Sequence, residues 1–185
     1  RHGEAAALQR ALFTLRQQSA LIDPVWGGIY QYSTGSTWTR PHYEKLMTYQ
    51  APNLWAYAKA YQATRDPQLL GWARDIERYI NTFLSNPEGA FLVTQDADVN
   101  AHDRQAKFVP GRLYFPLADA ERRKLGVPRV DTHVYAEENG LAIAALTALY
   151  EATGDAAVLA RCERAAKLLM ASHVDAEGRV KHDAQ

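Results

Sequence analysis

His42, Glu44 and Lys45 lie within one short stretch, TRPHYEKL at residues 39–46, and between them they carry an imidazole, a carboxylate and an ammonium. Histidine titrates near neutral pH and suits general acid–base work. Thr39 and Pro41 read as a helix cap followed by a first-turn proline. A carboxylate in that first turn gains about 0.3–1 kcal/mol from the helix dipole with no function required. On such a helix His42 and Glu44, two apart, do not share a face. His42 and Lys45 do, and the cation would lower the imidazole pKa. Two further clusters follow. Residues 96–100, DADVN, alternate acids as a calcium loop does, but the EF-hand pattern needs Gly at its sixth position and Glu at its twelfth. Those positions hold Ala101 and Lys107, so no metal is expected. Asp96 and Asp98 read either as working acids or as a self-capping turn. Residues 131–139, DTHVYAEEN, offer Asp131, His133, Tyr135, Glu138 and Asn139, either as a reactive rim or as an acidic helix start. If the helix begins early, Asp131, Tyr135 and Glu138 fall near one side.

Composition bounds what these clusters can serve. Across 185 residues, 21 Lys+Arg balance 21 Asp+Glu. No basic face invites nucleic acid, and no apolar run reaches the roughly 18 residues of a membrane span. Cys162 is the sole cysteine, which excludes an internal disulfide; its place in the pattern is that of a small core residue. No cofactor motif is present. A chain that opens on Arg1 reads as a processed or excised piece.

The elements that must position the clusters are helical. Residues 4–21 place Leu8, Leu12 and Leu15 on one face, and Asp23-Pro24 stops the helix. A glycine-aromatic loop, WGGIYQYSTGSTW, follows. A helical region spans about 41–64 with Pro52 inside it, so a kink or break is expected near Gln50. Asp66-Pro67 caps the next helix. Within 92–134, GAFLVTQDADVN (from residue 89 on) reads as an extended piece and acidic turn. GRLYFPL reads as a short strand, and ADAERRKLG as a helix closed by Gly126.

The helical pairs repeat at an offset of 89 residues (150 − 61), with Tyr61/Tyr150, Thr64/Thr153, Asp66/Asp155 and Gly89/Gly178 identical. Each unit is a helical hairpin followed by a tight turn, spanning about 43–91 and 136–180. WGGIY looks like the same turn again. Hairpins that cannot bury their apolar faces alone must stack. The expected fold is all-α: antiparallel helical hairpins forming part of an (α/α) toroid with short β-like turns at one end, in one domain over residues 1–185.

These motifs resemble a family. WGGIYQYSTGSTWTRPHYEKLMTYQAPNLWAYAKAYQAT is similar to the helical region of the spermatogenesis-associated, thioredoxin-fused proteins, where a GG-aromatic turn leads to W-x-x-P-H-F-E-K-M. GAFLVTQDADVN and DTHVYAEENGLAIAAL resemble that family's G-G-F-Y-S-x-x-D-A-D and D-x-K-x-L-x-x-W-N-G-L-x-I-A-A-L segments. Glu138 stands where the family has Trp, His133 where it has Lys, and the thioredoxin-like part is absent from this sequence. The resemblance implies a six-hairpin, glycosidase-like toroid related to sugar epimerases and hence a sugar or glycan ligand. The implied catalytic set is His42, Glu44, Asp96, Asp98, Asp131 and Glu138. Trp26, Tyr30, Trp38, Tyr43, Tyr135 and Asn139 line the substrate, unless the aromatics plug the ring centre. A pair of carboxylates opposed across the mouth meets the needs of glycosidic chemistry. The rival reading is a non-catalytic helical module that self-associates or binds the part of the ring missing here.

Overall fold

A computed structural model describes residues 2–183. Five long helices carry the fold: α1 (His2–Gln18), α2 (Met47–Thr64), α3 (Pro67–Phe83), α6 (Ala136–Thr153) and α7 (Ala156–His173). Two short helices, α4 (Gly111–Tyr114) and α5 (Asp119–Leu125), lie between them. A first sheet pairs β1 (Tyr32–Ser33) with β2 (Pro41–His42). A second runs in the order β3 (Lys45–Leu46), β4 (Thr94–Gln95), β5 (Val130–Asp131), antiparallel throughout.

α2 and α6 have no single apolar face: buried residues recur around more than one side of each helix. They pack against each other as an inner layer, with α3 behind α2 and α7 behind α6. α3 is one-sided: Leu69, Ala73, Ile76, Tyr79 and Ile80 are all fully buried. α1 is a third outer helix, tied to α2 where Tyr57 donates its hydroxyl to the Leu15 carbonyl at 2.8 Å.

Both hairpin turns use the same chemistry. Asp66 accepts from the Gln68 amide and Asp155 from the Ala157 amide, at 2.9 and 3.0 Å, satisfying a free donor at each helix start. The outer helices also end alike. Isolated bridges Ile22–Ile29, Ser85–Phe91 and Val174–Val180 close three equivalent turns. In the first, Gly27 is obligatory: its φ is +76°, and a Cβ there would lie 2.1 Å from the Asp75 carbonyl oxygen. Each of the first two turns is held by a carboxamide from the following inner helix. Gln50 accepts from the Ile29 amide and donates to its carbonyl; Asn139 does the same to Phe91. Gln50 and Asn139 are themselves 89 residues apart (139 − 50).

Three expectations are corrected. The helix does not start at Pro41. Residues 41–46 are extended, because β2 and β3 are committed to partners and the Gln31 amide bonds the carbonyls of both His42 and Glu44. α2 therefore begins at Met47, whose amide donates to Val93. α2 also runs unbroken past Gln50: Pro52 is only its sixth residue, so the one lost hydrogen bond falls at the start of the helix. GRLYFPL holds a helical turn instead of a strand, opened where the Asp98 carboxylate accepts from the Gly111 amide at 2.6 Å. The fold is thus predominantly helical with short strands at one end.

Candidate functional site

The second sheet opens onto the N-terminal ends of the two inner helices, since β3 leads directly into α2 and β5 into α6. Its register sets Leu46, Thr94 and Asp131 in one row, and Lys45, Gln95 and Val130 in the next. Carried one residue further, it sets Glu44 opposite Asp96 and Arg129, whose carbonyl accepts from the Asp96 amide at 2.8 Å. Side chains alternate along a strand, so Glu44, Asp96 and Asp131 share one face while Lys45 and Gln95 take the other.

Every acid on that face has a histidine. His42 Nε2 lies 3.4 Å from Glu44, His102 Nε2 3.2 Å from Asp96, and His133 Nδ1 2.5 Å from Asp131. All six side chains are partly open to solvent. Tyr32 stacks on His42 at 5.1 Å, and Tyr135 is sandwiched between His133 and His182. Burial works to raise the Asp131 pKa, but the His133 amide and ring outweigh it and hold the carboxyl below the usual range. The Asp96 oxygen that faces His102 makes no hydrogen bond of good geometry among the described residues, and His102 itself lines a recess of about 230 Å³ with Asn100, Val127 and Arg129.

The expected helical pairing of His42 with Lys45 is corrected by the strand geometry. In extended chain, residues two apart share a face, so His42 meets Glu44 and Lys45 turns inward. Asp131 likewise lies on β5 and not on an early turn of α6. Among the remaining acids, Asp98 anchors the insertion through the Gly111 amide. Glu138 is buried in the first turn of α6 with one oxygen lacking a hydrogen-bond partner among the described residues. Of the proposed ligand-lining residues, Trp26, Tyr30 and Tyr43 pack with Phe115 and one another in the interior, and Asn139 is the clamp on Phe91. These take the packing role that the sequence left open. Trp38 is exposed on the loop before β2, away from the inward-facing aromatics; Tyr135 is half-buried beside the sheet.

Behind the sheet lies a buried set of charges whose association the sequence did not mark. Lys45 is fully buried, with Nζ 2.8 Å from Asp23 and 2.8 Å from the Gly27 carbonyl. Arg122 of α5 forks onto both Asp23 oxygens at 2.7 and 2.9 Å and also donates to the Phe115 carbonyl. Aromatic faces enclose the cations: Tyr79 lies 4.3 Å from the Lys45 ammonium, and Trp26 4.9 Å from the Arg122 guanidinium. Burial pushes Lys45 down to about 8 against the pull of Asp23. Burial would raise Asp23, but Lys45 and Arg122 together bring it below its ordinary value. Lys45 and Asp23 are therefore both charged at neutral pH. His102 and Arg129 were also missed; both sit in the irregular segment, where no periodicity reports on a residue's direction.

Comparison with known proteins agrees with this architecture. No family model matches the chain. Spermatogenesis-associated protein 20 of Rattus norvegicus is 34% identical over 110 residues, which is 58% of this chain and 14% of that protein. Cellobiose 2-epimerase from Spirochaeta thermophila superposes with a TM-score of 0.72 at 20% identity, covering 98% of this chain and 39% of the epimerase. An inactive variant of an alpha-1,6-mannanase of Salegentibacter, in complex with alpha-1,6-mannotetrose, superposes with a TM-score of 0.61 at 19% identity, covering 90% and 41%. The chain thus spans 14% of the length of the first of these proteins and about 40% of the other two. Among the described residues no helix is long and apolar enough to cross a membrane. In sequence the chain resembles a stretch of the spermatogenesis-associated proteins, and in fold it resembles a part of the helical sugar epimerases and mannanases.

Proposed function

We propose that this chain is an arc of an (α/α) toroid that binds a hexose-containing oligosaccharide on the open face of its three-stranded sheet, and that the face supplies acid–base chemistry. The observation that carries the reading is the register of β3 and β4, which carried one residue beyond the strands sets Glu44 opposite Asp96, each beside a histidine. Directly opposed residues of an antiparallel pair have Cβ atoms about 4.5–5.5 Å apart. Glycosidic chemistry uses two such carboxyl groups, one to give a proton to the sugar oxygen and one to act opposite it. His42 is the base for a proton taken from carbon or water. Asp131 with His133 flanks the pair, Tyr32 and Tyr135 offer flat faces to sugar rings, and Asp98 is a positioning residue through its hold on the insertion. The fold of the similar epimerase and mannanase supports the ligand class.

A thermal-shift titration with cellobiose and alpha-1,6-mannotetrose tests this. At least one sugar raises the midpoint in the unaltered protein, and Glu44→Gln and Asp96→Asn each weaken that response about tenfold. Equal responses in all three proteins would remove the site from the sheet. No response to either sugar would remove the ligand class.

A further inference from the structure

We propose that the groove between α1 and α2 is the seat of one additional inner-type helix: apolar on more than one side, lined with small residues and antiparallel to α1. The internal repeat carries this inference, which is independent of the sugar reading. A stripe on α6, Glu138, Ala142, Ala145 and Leu149, is buried at 8% exposure or less where α6 packs in the inner layer. The equivalent stripe on α2, displaced by 89 residues, is Tyr49, Asn53, Ala56 and Ala60. Of these Tyr49 is open at 39% exposure, Asn53 and Ala56 are half-buried, and Ala60 is buried. Alongside, Leu8, Leu12 and Leu15 of α1 and Trp55 of α2 complete an almost wholly apolar groove of about 460 Å³, with Leu8 at 38% and Trp55 at 48% exposure.

The repeat also says what fits. α1 and α2 are related as α3 and α6 are, an outer helix and the inner helix of the next hairpin. The space between α3 and α6 is filled by α2, the inner helix of α3's own hairpin. The missing occupant therefore stands to α1 as α2 stands to α3. The α6 edge of a second copy does not qualify. Its own α7 would occupy the outer position that α1 already holds, so the two would collide. A lone helix meets no such obstacle.

The test uses the full chain and a dye-labelled synthetic peptide with the sequence of residues 47–64, which is the helix that fills the equivalent space. Fluorescence anisotropy is expected to saturate on addition of the protein, with no saturation for a scrambled peptide. Ala56→Arg, at a half-buried position, and Leu8→Arg, at an exposed one, each weaken binding at least tenfold while circular dichroism stays unchanged. Absence of saturation, or equal binding by both variants or by the scrambled peptide, overturns the proposal. So does sedimentation of the unaltered protein as a dimer that Ala56→Arg converts to monomer, since a second copy would then cover the groove.

Discussion

Glu44 and Lys45 are consecutive, yet they belong to two different electrostatic worlds. Glu44 stands on the outward face of β3, where it and its histidine are in contact with water. Lys45 stands on the inward face, sharing the Asp23 carboxylate with Arg122 and with no exposure at all. Outside, each ion pair is screened and contributes little, about 0–1 kcal/mol. Inside, desolvation is so costly that the charges are tolerable only as a complete set, with every oxygen of Asp23 occupied. The same strand thus separates groups in contact with water from groups that fix the architecture. The inner set joins the first turn, β3 and the irregular segment through contacts 22 and 99 residues apart in sequence, and so holds the sheet that displays the outer set.

The contrast can be broken most forcefully from inside. Asp23→Ala leaves two buried cations without a counter-charge and should cost about 3–5 kcal/mol, lowering the melting temperature by roughly 10 °C in calorimetry. Asn139→Ala removes the clamp on Phe91 and strands a buried amide and carbonyl, for about 2 kcal/mol by denaturant titration. Acid separates the faces further. The folded pKa of Asp23 lies below its ordinary value, so its contribution is complete above about pH 4 and is lost as pH falls through the folded value. Asp131 acts in the same direction. Asp23→Asn should therefore flatten the acid limb of the stability–pH curve, by at most about 1.4 kcal/mol per pH unit. The smallest effects are outside: His42→Ala or Glu44→Gln should change stability by less than about 1 kcal/mol while weakening the sugar response about tenfold. A large loss of stability in either would erase the distinction between the faces.

Local chemistry was readable from residues alone. The Asp66 and Asp155 caps, the Gly126 stop and the burial of Cys162 follow from neighbours a few positions away, and all three features are present. The helical repeat was visible because apolar spacing and turn residues recur together. The inner ion set was not visible. Asp23 before Pro24 reads as a stop signal, Arg122 reads as one face of a short charged helix, and nothing within ten residues of either names the other. The start at Met47 was obscured for a related reason: Thr39-Arg-Pro41 is sound capping chemistry, and only strand partners at 32–33 and 94–95 override it. Of the outward face, the acids were picked out together with His42 and His133, and His102 was not. His102 reaches Asp96 only because the acidic turn doubles back, with Asn100 in the left-handed region at φ +60°.

The carboxamide clamps have a consequence for the growing polypeptide. Gln50 reaches back to Ile29, and Asn139 reaches back 48 residues to Phe91. As the ribosome releases the chain, each loop emerges long before the side chain that secures it, so ordering trails synthesis by one unit and advances as a ratchet. Each newly docked segment finishes the one before it.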